Sequence, residues 1–245
     1  MRIVLGVGSG ALVWGCAAMM GAATGAAQEA KLQAPQPPQL QDVWQSRAAY
    51  RETNMDQLVR DRLAKNSALR GYQLSPAERR ALQALQVAAS STDAAKGPPA
   101  LAAASKVVQS ADGRFVLGAL QMQMGAQAND TAMQAAGTDI VIESGAAPAG
   151  VLPKLLRNQG TFALDANDLG KAEAAFGKLV ALAPGDADAA IALAQIKVDL
   201  RKDQEALKLF EQAIAAKGMA GQEVPPVWMR AAESTRRRVA KAAPR

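Results

Sequence analysis

The chain has 245 residues, of which 49% are hydrophobic but only 4% aromatic, and carries a formal charge of +6. That length suits one domain or a short repeat array, and an apolar fraction drawn largely from alanine and leucine suits closely packed helices better than a sandwich or barrel. With no histidine and a single cysteine, Cys16, the chain lacks the commonest general base and metal ligand, cannot close an internal disulfide and cannot build a thiolate zinc site.

Residues 1–27 read as an export signal. Met1-Arg2 is followed by an uncharged stretch from Ile3 to Met20, and Gly25-Ala26-Ala27 offers small residues for cleavage before Gln28-Glu29. The alternative is a retained membrane anchor, although a Gly- and Ala-rich stretch is weakly hydrophobic for that purpose. Gly6-Val7-Gly8-Ser9-Gly10 imitates a nucleotide-binding turn. It is rejected because no helix and second strand with an acidic end follow. Val13-Trp14-Gly15-Cys16 resembles a lipoprotein box apart from its bulky Trp14, so lipidation at Cys16 stays open as the minority alternative, and with it membrane contact.

Residues 28–42, rich in Gln and Pro, read as a disordered linker. Over 43–72, Trp44, Ala48, Met55, Leu58, Val59 and Leu63 recur at helical spacing and predict an amphipathic lead-in helix ending near Gly71. Its arginines, Arg47, Arg51, Arg60 and Arg62, read as a solvated face balanced by Glu52, Asp56 and Asp61. Ser75-Pro76-Ala77-Glu78 is a helix start with capping-box spacing, and Leu82, Leu85 and Ala89 form the expected buried stripe. Lys96-Gly97-Pro98-Pro99 is expected to punctuate, with a second helix running to about Gln109.

The strongest signal is an internal repeat. Ala172 and Phe176 lie four apart, as do Ala206 and Phe210, and the second pair stands thirty-four positions after the first. Gly160 and Ala194 each lie twelve before the alanines, Pro184 lies twelve after Ala172, and Gly218 holds the matching place in the next unit. Small residues allow two helix backbones to approach, a phenylalanine can fill the gap between units, and a proline ends a helix. Asn167-Asp168 and Lys202-Asp203 are expected to turn the chain within each unit, with Asp as the cap.

This pattern resembles the tetratricopeptide repeat family, whose helical hairpins recur with the same period. The resemblance is specific over 153–220, taken as units 153–186 and 187–220. The family's usual Trp and Tyr are here Leu156 and Ala163, then Ala190 and Lys197. Over 75–152 it is divergent. Arg114 to Ala126 and Thr131 to Glu143 make a degenerate unit in which Ala132 and Ala136 stand for the Ala–Phe pair, and Ser144-Gly145-Ala146-Ala147-Pro148 breaks the spacing. Residues 221–245 read as a terminal helix after Pro225-Pro226, with Trp228 and Met229 inward and Arg236, Arg237, Arg238, Lys241 and Arg245 toward water. Nucleic-acid binding by this basic run is disfavoured, because no aromatic interleaving accompanies it.

The resemblance implies an all-α superhelix of helical hairpins whose first helices line a concave groove that grips a protein or peptide. Carried onto this chain, the groove positions are Arg114, Gln121, Lys154, Arg157, Asn158, Thr161 and Gln195. No catalytic, cofactor-binding or metal-binding residues are expected. The carboxylates Asp165, Asp168, Glu173, Asp186 and Asp188 fall at turns and caps, and Ser105-Lys106 are neighbours on different sides of a helix. The expected role is a protein-binding scaffold, periplasmic or secreted in a bacterium. The alternatives are an envelope-structural or assembly subunit and, less favoured, an enzyme with an unrecognised site.

Overall fold

The computed structural model describes residues 69–242 apart from 70 and 92. The export segment, the linker, Cys16 and nearly all of the lead-in helix lie outside the described residues. Of the lead-in, only its end is described: Leu69 is left-handed, with φ 53°, and Tyr72 N donates to its carbonyl in a turn.

Every regular element among the described residues is helical. The α-helices are α1 (Pro76–Ala89), α2 (Gly97–Val107), α3 (Ala111–Gln127), α4 (Thr131–Glu143), α5 (Leu152–Asp165), α6 (Leu169–Leu182), α7 (Ala187–Asp199), α8 (Asp203–Met219) and α9 (Pro226–Ala242), with a short 3-10 turn over Ala94–Lys96. They pack in chain order as antiparallel pairs, α1 on α2, α3 on α4, α5 on α6 and α7 on α8, and α9 closes the last pair. Short connections favour this arrangement, since a chain that turns in a few residues returns alongside the helix it has just left.

Three of the four pairs turn by one device. Asn129, Asn167 and Arg201 take left-handed φ of 52°, 56° and 61°. In each case the next residue's N–H reaches back to a carbonyl of the last helical turn: Asp130 to Gly125, Asp168 to Ala163 and Lys202 to Lys197, each at 2.8 Å. This bond satisfies carbonyls that a helix end leaves orphaned. Asparagine tolerates the left-handed region better than most residues, so two of the three positions carry suitable chemistry. Asp130 and Asp168 then cap the following helix by accepting from Met133 N and Lys171 N at 2.9 Å. The third cap is Lys202, which makes no side-chain cap, and Asp203 lies inside α8. The expected capping role of Asp203 is therefore corrected; its carboxylate instead holds Arg238 of α9.

The turns also set the register between units. Asn167 and Arg201 are thirty-four positions apart, but Asn129 and Asn167 are thirty-eight apart. The extra length lies in the Ser144–Val151 connection, where the sequence placed an insert. Counting from the caps, Ala172 and Phe176 correspond to Gln134 and Thr138 of α4, not to Ala132 and Ala136, both of which the helix keeps off the core. The Gly160 position becomes Met122. Bulk is thus exchanged across the hairpin: a glycine on α5 faces a phenylalanine on α6, whereas a methionine on α3 faces Gly137 on α4.

Among the described glycines, those of this divergent pair lie closest to the backbone of a facing helix. A Cβ on Gly137 would stand 2.7 Å from both the Gly118 carbonyl oxygen and Met122 N, and one on Gly118 would stand 2.7 Å from the Gly137 oxygen. Gly125 is similarly tight, at 2.8 Å from Gln134 N. Rigid backbone atoms cannot move aside as a side chain can, so Gly137→Ala is expected to splay α3 from α4. A loss of about 2 kcal/mol is expected despite alanine's better helix propensity, read as a lower denaturant midpoint.

Other details depart from the sequence reading. Gly97-Pro98-Pro99 separates α1 from α2 as expected, but does so as the first turn of α2, because proline tolerates a first turn whose N–H groups have no intrahelical partner. Gly218 is helical, and α8 runs on to Met219, ending at the left-handed Gly221. Trp228 is buried as expected, but Met229 is 57% exposed. Adjacent residues on a helix are rotated by about 100°, so neighbours seldom share a buried face.

Among the described residues, the apolar core forms three successive clusters. The first joins Leu82, Leu85, Phe115, Leu120, Val141 and Leu155. The second surrounds Phe176 with Leu156, Leu179, Ala189, Leu193 and Ile196. The third surrounds Phe210 with Ala190, Ala194, Trp228 and Ala231. Each phenylalanine therefore belongs to a cluster that joins its own pair to the next helix in line.

Candidate partner surface

The groove positions do not share one fate. Arg114, near the start of α3, is exposed, and Lys154, Arg157 and Asn158 on the first half of α5 are half-buried. Gln121, Thr161 and Gln195 are buried, at 9%, 6% and 4% exposure. The helices that carry these three are covered on the faces concerned, so none of them lines an open surface. Thr161 Oγ1 donates to the Arg157 carbonyl at 3.0 Å, a local bond within α5. Gln195 lies beneath α9.

Arg157 is engaged within the fold. Its guanidinium pairs with Asp186, the residue that caps α7 by accepting from Ala189 N at 3.0 Å. One carboxylate thus satisfies the start of α7 and ties it to α5. Asp186→Ala removes both contacts and is expected to cost about 1–2 kcal/mol, whereas Asp186→Asn keeps a capping oxygen and is expected to cost less than half as much; thermal melts of the two variants distinguish cap from ion pair.

Further ion pairs join successive pairs of helices along the chain. Asp139 of α4 accepts from Gln159 of α5 at 2.8 Å and pairs with Lys171 of α6. Glu173 of α6 receives Lys197 of α7 at 2.6 Å and Lys202 at 2.7 Å, and Lys197 also pairs with Glu205 of α8. Asp203 of α8 accepts from Arg238 Nη2 of α9 at 2.9 Å. The lysines bonded to Glu173, Lys197 foremost, hold its carboxyl below the usual range. Burial pulls the Lys197 ammonium down, but the hydrogen bonds to Glu173 and Glu205 outweigh it and the net shift is upward. Glu173 and Lys197 therefore both keep their charge at neutral pH, which suits attachment between helices. Asp199 is the contrasting case: burial raises its pKa, and Arg201 offsets only part of that.

The C-terminal helix is less free than its composition suggests. Arg238, expected to face water, is two-thirds covered and fixed to Asp203, while Arg236 pairs with Glu211 and Glu233. Sequence reasoning could recover such partners only in part, because Asp203 and Arg238 are far apart in the chain. Among the described residues, no group of three or more His, Cys, Asp or Glu could hold a metal ion, and no helix is long and apolar enough to cross a membrane.

The remaining positions are the exposed Arg114 and the half-buried Lys154 and Asn158, on first helices of consecutive pairs. Two bases and an amide can hold carboxylate and backbone groups of a partner. No protein-family model matches the chain, and no curated protein or solved structure does so either.

Proposed function

We propose that this chain is a protein-binding scaffold of the tetratricopeptide type, exported to the bacterial envelope, where it holds a partner peptide or helix. The observation that carries the reading is the equivalence of Phe176 and Phe210. They are one repeat period apart, lie at the same distance from the turn cap, and are buried at 0% and 1% exposure between their own hairpin and the next helix. Stacked hairpins with that spacing form extended surfaces whose usual work is binding. Export rests on the sequence of residues 1–27 alone.

The test is affinity capture from envelope extract with the chain lacking residues 1–27, against a control carrying Arg114→Glu and Lys154→Glu. Arg157 is left unchanged, because reversing its charge would disturb the α7 cap. A partner retained by the parent chain and lost by the control supports the reading. Equal retention by both overturns the assignment of this surface, and mature protein found in the cytoplasmic fraction overturns export.

A further inference from the structure

Beneath α9 is a small cavity lined by Gln195 and Val198 of α7, Phe210 of α8, and Ala231, Ser234, Thr235 and Arg238 of α9. About 20 Å³ of it is open to the centre of a water molecule. Gln195 is 4% exposed, and its Oε1 is buried without a hydrogen-bond partner. A buried acceptor left unsatisfied is destabilising, so its survival in the interface between the last pair and its closing helix calls for a donor.

The lining residues limit what that donor is. Four of the five N–H groups of Arg238 are committed: Nε and Nη2 donate to Asp203, Nη1 donates to Ser234 Oγ at 3.3 Å, and Nη2 also reaches Thr235 Oγ1 at 3.0 Å. The Thr235 hydroxyl donates to the Ala231 carbonyl at 2.8 Å. Ser234 accepts from Arg238 but has its own hydrogen to give, and Thr235 Oγ1 retains accepting capacity. The lining therefore offers Gln195 Oε1 and Thr235 Oγ1 as acceptors and the Ser234 hydroxyl as a donor, around a volume suited to a single small molecule able both to give and to accept.

We infer that this cavity is a binding site for one ordered water that joins α7 to α9. The water donates one hydrogen to Gln195 Oε1 and the other to Thr235 Oγ1, and it accepts the Ser234 hydroxyl hydrogen. Three bonds are typical of buried structural waters, and the volume exceeds the roughly 10–15 Å³ that one needs. Gln195 is then a seat for the closing helix and not a contact for a partner protein. The inference is independent of the scaffold reading, since it concerns the packing of α9 whatever the chain binds.

A high-resolution crystal structure of the intact chain tests it, with Gln195→Met as comparison. The expected result is one well-occupied water in the parent, about 2.7–3.2 Å from Gln195 Oε1, and its loss in the variant, whose side chain has similar bulk and no acceptor. A parent structure with no density in the cavity, or with the amide turned so that its NH2 group donates directly to Ser234 or Thr235, overturns the inference. The parent density alone decides the matter if the variant does not fold.

Discussion

Phe176→Ala is expected to lower stability by about 3–5 kcal/mol, the range for emptying a wholly buried aromatic site. The ring is 0% exposed and packs among Leu156, Ala163, Leu179, Ala189 and Ile196, so three helices lose contacts together. The sharper experiment adds Gly160. A Cβ there would lie 2.4 Å and 2.6 Å from two ring carbons of Phe176, a distance that real atoms do not tolerate. A fully enclosed ring has little room to retreat, so Gly160→Ala alone is expected to cost about 1–3 kcal/mol. With Phe176→Leu in the background the clash is relieved, and Gly160→Ala should become nearly neutral. The double-mutant cycle, measured by denaturant unfolding, is expected to give a coupling above about 1 kcal/mol. Additive effects would mean that the ring does not occupy the hollow left by the glycine.

Glu78 governs the acid limit of the N-terminal pair. Its carboxylate accepts from Ser110 N at 2.8 Å and from Gln109 N and Ser75 N at 2.9 Å each, while Ser75 Oγ accepts from Glu78 N in return. The backbone N–H of Ser110 contributes most, followed by those of Gln109 and Ser75, and together they lower the pKa from 4.5 to about 2. The native state thus binds the proton less readily than the unfolded chain. The stabilisation is fully present above pH 4.5, declines as pH falls through the interval, and is gone below about 2; at neutral pH it is worth about 3 kcal/mol. Glu78→Gln offers one oxygen to three donors and brings an NH2 group toward them. It is expected to lose about 2–3 kcal/mol at neutral pH and to flatten the dependence of stability on pH between 4.5 and about 2. A variant that keeps the parent's slope across that interval would assign the acid sensitivity to another carboxylate.

These two cases show which parts of the molecule are readable from sequence. The capping box of α1 is legible because Ser75 and Glu78 are three apart, and the stripe Leu82, Leu85, Ala89 because helical periodicity is local. The hairpins over 153–220 are legible because a repeat declares itself by its own offset. That Glu78 also reaches Gln109 and Ser110 is not legible, since a contact between segments so distant in the chain leaves no mark in spacing. The register of the divergent pair misleads for a related reason. Without the turn geometry, Ala132 and Ala136 imitate the repeat motif, and only the left-handed Asn129 shows that Thr138 holds the phenylalanine place. The surface positions carried over from the family are the least secure, because burial of Gln121, Thr161 and Gln195 depends on what packs over them.

The three core clusters have a consequence for how the molecule yields. Neighbouring clusters share only a few bridging side chains, Ile142 between the first and second and Val180 and Leu209 between the second and third. Among the described residues, cohesion therefore passes from one segment to its neighbour, with no cluster spanning the length of the stack. Stretched from its two ends, the chain should part in a sequence of separate force peaks, beginning where Trp228 anchors the last helix, instead of rupturing in one event.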